Sequence, residues 1–350
     1  MLKKFMPTRS YNKFGLVLKR GSNSVSKPQV KDLQRDLRQL GYLYRGIDGG
    51  FGNGTERAIK ALQYDLLNNH GEGNDGNAPV SLVDYNQRRV VNVDGVVDHS
   101  LAQCIADMLD DEKYPKLPFA ENPADANREV ISQMDALPSA DVPLPFLKAI
   151  FKQESNLQHF YVPRGVDEDN YIVVGMDINA GEKHIITSRG YGLGQFTLFH
   201  HPPKKSEVKN FMVGIRGNIS KAMEELKNKF DHFVTGPPGG RRADDRFADG
   251  RSQKKPLACK FEEGGLGYLT DCKNCALEAG KQDIVADETP YYEGSNHTYR
   301  KTQYHPGSYK NVPVRKNFPC DWPYAMRRYN GSGVNSYNYQ ARVLKHLAKL

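Results

Sequence analysis

The chain has 350 residues, enough for one to three domains, and its 38% hydrophobic content can fill compact cores while 32 glycines and 20 prolines mark long polar loops. Lys+Arg number 49 against 41 Asp+Glu, a net charge of +8 that favours an anionic partner such as nucleic acid, a membrane face or a cell wall. No apolar run is long enough to cross a bilayer as a helix, so membrane insertion is not expected. The cysteines Cys104, Cys259, Cys272, Cys275 and Cys320 are too few for a disulfide scaffold in a chain of this size.

Residues 1–19 are basic and without period. They start Met1-Leu2-Lys3-Lys4-Phe5-Met6-Pro7, with no apolar stretch behind the lysines, so no Sec-type signal is expected. From Pro28, Val30, Leu33, Leu37 and Leu40 form one apolar helix stripe, closed by Gly41. A glycine-rich loop leads to Thr55, expected as the N-cap of a second helix carrying Ala58, Ile59, Leu62 and Leu66. After a polar stretch near 68–92, a second Asp-Gly turn, Asp94-Gly95, precedes a third helix through Leu101, Ile105 and Leu109, capped near Asp98 or Ser100. Pro115, Pro118 and Pro123 make 113–125 a semi-rigid linker. A helix is predicted around 127–137 and another from Pro145 to Glu154. Tyr171–Val174 and His184–Thr187 are predicted as a β-hairpin. Asn218 is predicted to cap a helix bearing Ile219, Met223, Leu226 and Phe230. Residues 231–320 lack helical period, and a last helix runs from about Ser336 with Val343 and Leu347 on its core side. The fold class is mainly α (α+β). A basic segment (1–19) is followed by a small three-helix domain (20–112), the linker (113–125) and a helical domain with a β-hairpin (126–350), which carries a long cysteine-containing insertion at about 231–320.

Leu147, Ile150, Phe151 and Glu154 share one helix face. A carboxyl group ending an apolar stripe is expected to be desolvated, the alternative being a helix-end glutamate turned to water. Desolvation would raise its pKa and keep a proton available near neutral pH. That is the requirement for protonating a glycosidic oxygen.

Glu154-Ser155, then Ser188-Arg189-Gly190-Tyr191-Gly192-Leu193-Gly194-Gln195, then Asn218-Ile219, then Ala325-Met326-Arg327-Arg328-Tyr329-Asn330-Gly331, resemble in order the motifs of the lytic transglycosylase and goose-type lysozyme superfamily. The resemblance implies a lysozyme-like fold for 126–350 and cleavage of the MurNAc-GlcNAc β-1,4 bond of peptidoglycan, as a muramidase or a lytic transglycosylase. Glu154 takes the place of the acid/base. Ser155, Tyr191, Gln195, Tyr329 and Asn330 take the places of substrate-binding or positioning residues. Asp167, Glu168, Asp169, Asp177 and Glu182 offer second carboxylates for a hydrolytic route. The N-terminal half resembles the three-helix peptidoglycan-binding domain through Leu33-Gln34, Leu37, Leu40-Gly41-Tyr42, Asp48-Gly49, Phe51-Gly52, Thr55, Ala58, Leu62-Gln63 and the turn Val93–Asp98. Bacterial peptidoglycan is the implied partner. Without a Sec signal, synthesis is expected in the cytoplasm and action in the periplasm or cell wall. The settings are a phage lysin, a phage-tail component or a secreted antibacterial effector with an immunity protein. The alternative is a non-catalytic wall-binding protein on a lysozyme scaffold.

Catalysis of this kind needs no cofactor. Cys259, Cys272, Cys275 and Cys320 can clamp the insertion as a structural zinc site, the short Cys-x2-Cys spacing favouring metal over two disulfides, with His297 and His305 as substitute ligands. Gly239–Arg242 and Lys254-Lys255 are interleaved with Asp244, Asp245 and Asp249, and nucleic acid is not expected as a partner.

Overall fold

The computed structural model describes residues 9–22, 26–44, 46–71, 80–136, 142–163, 169–235, 272, 274, 275, 320, 322–331 and 335–350. The chain is mainly helical with one small antiparallel sheet, as expected. It divides into two compact units: residues 1–130 with 158–219, and residues 131–157 with 220–350. The stretch expected as one domain at 126–350 thus contributes to both.

The first unit begins with α1 (Lys27–Gln39), α2 (Asn53–Asn68), the short α3 (Val83–Asn86) and α4 (His99–Asp110). Val30, Leu33 and Leu37 of α1, Ile59, Leu62 and Leu66 of α2, and Leu101, Cys104, Ile105 and Met108 of α4 are buried. Gly41 follows α1 at φ +85°, the left-handed residue that ends a helix without a Cβ penalty, and the Asp98 carboxylate caps α4 by accepting from Leu101 N at 2.9 Å. The two Asp-Gly turns are each locked by the glutamine of a Leu-Gln pair. Gln34 Oε1 accepts from Gly49 N at 2.8 Å, while its Nε2 donates to Asp48 Oδ1 at 2.9 Å and Gly50 O at 3.0 Å. Gln63 Oε1 accepts from Asp94 N at 3.0 Å and Gly95 N at 2.8 Å, and its Nε2 donates to Asp94 Oδ1 at 2.7 Å and Val96 O at 3.2 Å. Both amides are buried, so each satisfies turn groups that water no longer reaches. Thr55 does not cap α2: Gly52 holds that position. The Thr55 hydroxyl is drawn into the first turn instead, accepting from Gln34 Nε2 at 3.0 Å and donating to Gly50 O at 3.1 Å.

Residues 113–125 are tied down by Leu117 N donating to Gln39 O at 2.8 Å and Ala120 N to Asn170 O at 3.0 Å, with Tyr114 and Leu117 buried. α5 (Pro123–Asp135) follows. The sheet consists of β1 (Val174–Ile178), β2 (Ile186–Tyr191) and β3 (Phe196–Leu198) in sequential antiparallel order. Val174 stands opposite Tyr191 and Gly175 opposite Gly190. The first strand begins later than expected, because Tyr171 and Ile172 are engaged by single bridges to Phe119 and Phe160. A second core gathers Leu117, Phe160, Ile172, Tyr191, Phe211 and Met212. The sheet segment is bound to the helices of the same unit: the Arg38 guanidinium donates to Leu43 O and the Asp169 carboxylate and stacks 4.5 Å from the Tyr161 ring, and Arg189 Nε donates to Gly41 O at 2.9 Å. α7 (Lys205–Glu207) runs into a π-turn, Val208–Val213.

α8 (Ile215–Phe230) leads into the second unit. Asn218 lies inside its first turn rather than at the cap, where its buried amide joins three backbone groups of the first unit. Its Nδ2 donates to Tyr191 O at 2.9 Å and Phe211 O at 3.2 Å, and its Oδ1 accepts from Gly194 N at 2.9 Å. The second unit is built on α6 (Leu144–Ser155), α9 (Trp322–Tyr329) and α10 (Asn335–Leu347), all three in mutual contact. Leu147, Ile150 and Phe151 of α6 and Val343 and Leu347 of α10 are fully buried, as their spacing predicts. Arg327 Nε donates to Ser336 Oγ at 2.9 Å and Gln340 Nε2 to Pro323 O at 2.9 Å, fixing α9 against α10, while Phe230 stacks on Trp322 at 4.2 Å. Apart from 231–235, 272, 274, 275 and 320, the insertion at 231–320 lies outside the described residues.

Candidate functional site

Glu154 ends the buried stripe of α6 and is itself half-buried. The chain turns back at once: Asn156 and Leu157 both take left-handed backbone, φ +56° and +63°, and Leu157 N donates to Phe151 O at 3.1 Å. A left-handed conformation costs a residue with a side chain roughly 1–2 kcal/mol, and here two follow one another without glycine. Ser155, buried, donates from Oγ to Phe151 O at 3.1 Å and so helps close the helix end beside the carboxylate.

Two phenols share this neighbourhood. Tyr339 of α10 is buried, and its pKa is pushed well up by burial, by the Glu154 charge and by the approach of its hydroxyl to that carboxylate. The approach is loose, since Tyr339 Oη makes no hydrogen bond of regular geometry. Tyr329, half-buried at the end of α9, is pushed up by burial, then by Glu154, then by Glu225. Both rings therefore stay protonated across physiological pH and remain donors to a nearby oxygen anion. Asn330 is exposed just beyond α9, and Gly331 closes that helix at φ +107°.

Glu225 and Tyr339 were not among the sequence candidates. Glu225 stands on α8, paired with Lys229 at 2.7 Å, in a run of charges that reads as a solvated face. Tyr339 lies four residues before Val343 and eight before Leu347, so its burial was readable while its carboxylate neighbour was not.

Tyr191 and Gln195 belong to the other unit, where they serve the sheet. Tyr191 is wholly buried in the core. Gln195 has left-handed backbone at φ +50°, and its Nε2 donates to Gly192 O at 2.7 Å. Its side chain fills the space left by glycines, since a Cβ on Gly175 would stand 2.4 Å from Gln195 Oε1. His159 completes this turn. Its Nε2 donates to Met212 O at 2.7 Å and its Nδ1 accepts from Leu193 N at 3.3 Å, the pattern of a neutral ring, and burial lowers its pKa to about 4.

Of the second carboxylates expected in the hairpin region, Asp169 is buried against Arg38, Asp177 accepts from Ser188 Oγ at 2.9 Å, and Glu182 is an exposed turn residue. Asp167 and Glu168 lie outside the described residues. So do Cys259, His297, His305 and the basic stretch at 239–255. Cys272 and Cys320 are buried and Cys275 half-buried. Among the described residues no three His, Cys, Asp or Glu side chains gather as a metal site, and no helix is long and apolar enough to cross a membrane.

No curated protein and no solved structure matches the chain. Residues 26–66, which span α1, the first Asp-Gly turn and most of α2, match the model of a family described as a putative peptidoglycan binding domain.

Proposed function

We propose that the protein binds bacterial peptidoglycan through its N-terminal helices and cuts the glycan strand at the MurNAc-GlcNAc β-1,4 bond, with Glu154 as general acid and base. The observation that carries the reading is a half-buried carboxyl group at the end of an apolar helix, beside two phenols held neutral. The match at 26–66 supports the wall as partner.

In the first step Glu154 gives its proton to the bridging oxygen as the C1–O bond of the muramic acid breaks, leaving the departing sugar with a free 4-hydroxyl. The carboxylate then takes a proton from the attacking hydroxyl. That hydroxyl is water in a muramidase or the muramic acid 6-hydroxyl in a lytic transglycosylase. Tyr339 and Tyr329, which both feel the Glu154 charge, are the donors we assign to the carboxylate between the steps. Glu225 is the carboxylate that a water-activating route would use in the same unit. Ser155 holds the helix end, and Asn330 stands just beyond α9 as the resemblance requires.

General acid–base catalysis contributes roughly 10²–10⁴-fold. Glu154→Gln keeps shape and removes the proton, so clearing of purified sacculi should fall by about that factor with binding to sacculi retained. Equal clearing by both proteins would sink the catalytic reading. So would sacculus binding without cleavage by the native protein, which would leave a wall-binding module. Mass spectrometry of the products separates the routes: 1,6-anhydro ends mark transglycosylation, reducing ends hydrolysis. The proposed setting is a phage lysin or a secreted antibacterial effector, the latter with an immunity protein.

A further inference from the structure

The first unit holds a cavity of about 250 Å³ between α2 and the sheet, lined among others by Tyr64, Asp65, Asn68, Thr187, Arg189 and Phe199. Arg189 is 3% exposed, yet its guanidinium is incompletely answered. Nε donates to Gly41 O at 2.9 Å and the group lies 5.2 Å from the Tyr42 ring, but Nη2 makes no hydrogen bond. The nearest carboxylate, Asp65, stands 3.7 Å away, beyond hydrogen-bond length, and already accepts from Tyr42 Oη at 2.8 Å. Burying a guanidinium with an unmet donor is costly, and a planar carboxylate is the partner whose geometry matches it. At the same cavity Phe199 is 57% exposed, an apolar surface beside a polar floor.

We propose that this cavity is a subsite for a carboxylate-bearing amino-acid unit of the wall's stem peptide, with the carboxylate on Arg189 and the aliphatic part against Phe199 and Tyr64. The proposal rests on the wall-binding reading above. Glycan rings alone do not meet the requirement: their hydroxyls and acetamido groups are neutral, and the muramic acid carboxyl is consumed in the amide bond to the peptide. Free carboxylates of peptidoglycan therefore sit on the peptide. Tyr64 and Asp65 fall within residues 26–66, while Thr187 and Arg189 come from β2 and Phe199 is the residue after β3. The hairpin segment thus adds a charged wall that the three-helix domain does not itself supply.

The test is calorimetric titration of the full chain with three probes: a synthetic stem tetrapeptide, the same peptide with every carboxyl amidated, and peptide-free glycan strands. Amidation should weaken binding by about tenfold or more, the worth of one charge-assisted pair. Arg189→Gln should reproduce that loss for the free-acid peptide. Because Arg189 is buried, Thr187→Trp and Asn68→Trp, which fill the cavity from the strand and from the helix and leave Arg189 itself unchanged, should abolish binding as well. Equal affinity for free and amidated peptide, undiminished binding by both tryptophan variants, or capture of bare glycan in preference to peptide would overturn the proposal. Sacculus cleavage by the native chain is measured separately. Cleavage without peptide binding removes this subsite alone, and peptide binding without cleavage removes the catalytic reading alone.

Discussion

Gly192 gives the sharpest test of how the sheet-end turn is held. Its backbone is left-handed at φ +72°, and a Cβ there would lie 2.6 Å from His159 Cε1 and Nδ1 and 2.8 Å from Asn218 Nδ2. Both neighbours are buried and hydrogen-bonded, so neither can swing away as a flexible side-chain end would. Gly192→Ala therefore incurs two penalties: about 1–2 kcal/mol for the left-handed backbone and about 1–3 kcal/mol for overpacking. Gly15→Ala is the control, because Gly15 has nearly the same backbone, φ +77°, with nothing within 4 Å of its Cβ position. In urea denaturation followed by far-ultraviolet circular dichroism the midpoint should fall by roughly 1–2.5 M for Gly192→Ala at a slope near 2 kcal/mol per M, and by much less for Gly15→Ala. If the two variants lose the same amount, contact with His159 and Asn218 is not what requires glycine, and the turn must be explained by backbone alone.

His159 links stability to acidity. Its folded pKa of about 4 lies below its ordinary value of 6.5, so the folded state binds the proton less readily than the unfolded chain. Its contribution is complete above pH 6.5 and is lost as pH falls toward 4, by about 3 kcal/mol in all. Asp36 runs the other way: burial raises its pKa to about 7, so its contribution is full below pH 3.8 and lost as pH rises through 7. The stability difference between the native chain and His159→Gln cancels Asp36 and should shrink by that amount between pH 7 and 4; a constant difference refutes the linkage. Gln63→Ala orphans Asp94 N and Gly95 N at a cost of about 2–4 kcal/mol by calorimetry, and a loss under 1 kcal/mol would mean that water replaces the amide. Tyr339→Phe should shift the pH profile of sacculus clearing, and an unchanged profile would show that its hydroxyl does not act on Glu154. Metal analysis should find about one zinc per chain if Cys259, Cys272, Cys275 and Cys320 form the expected tetrahedral site; a mass four hydrogens lower and no metal would mean two disulfides.

The helices were legible because their apolar stripes contrast with a polar chain. Val30, Leu33 and Leu37, or Leu147, Ile150 and Phe151, show a 3.6-residue period that only a helix explains, and all six are buried. Residues whose role depends on a distant partner were not legible. Thr55 has the composition of an N-cap, but a buried Gln34 claims its hydroxyl. Asn218 reads as a cap and instead joins Tyr191, Gly194 and Phe211. Glu225 looks like one charge among Lys221, Glu224, Lys227 and Lys229, and nothing local tells that its charge is felt at Tyr329. The sheet was placed a few residues early, because the apolar run Tyr171–Val174 is consumed by bridges to Phe119 and Phe160 before the strand begins.

The segment Gly190–Gln195 shows how one motif serves two arguments. As part of a resemblance it stands for a groove open to sugar. In the fold its glycines make room for the protein itself: Gly192 for His159 and Asn218, Gly190 and Gly175 for the Gln195 side chain. Such a turn is fully explained by packing, and it would be kept in a protein that had lost every catalytic group. The case for chemistry therefore lies elsewhere, in the second unit. A carboxyl group that ends an apolar stripe near two buried or half-buried phenols suffers a desolvation that a leucine at position 154 would escape. If stability alone had shaped that position, Glu154→Leu would be the better residue and would raise the unfolding midpoint. A stability gain accompanied by loss of sacculus clearing is the pairing expected of a group retained for function.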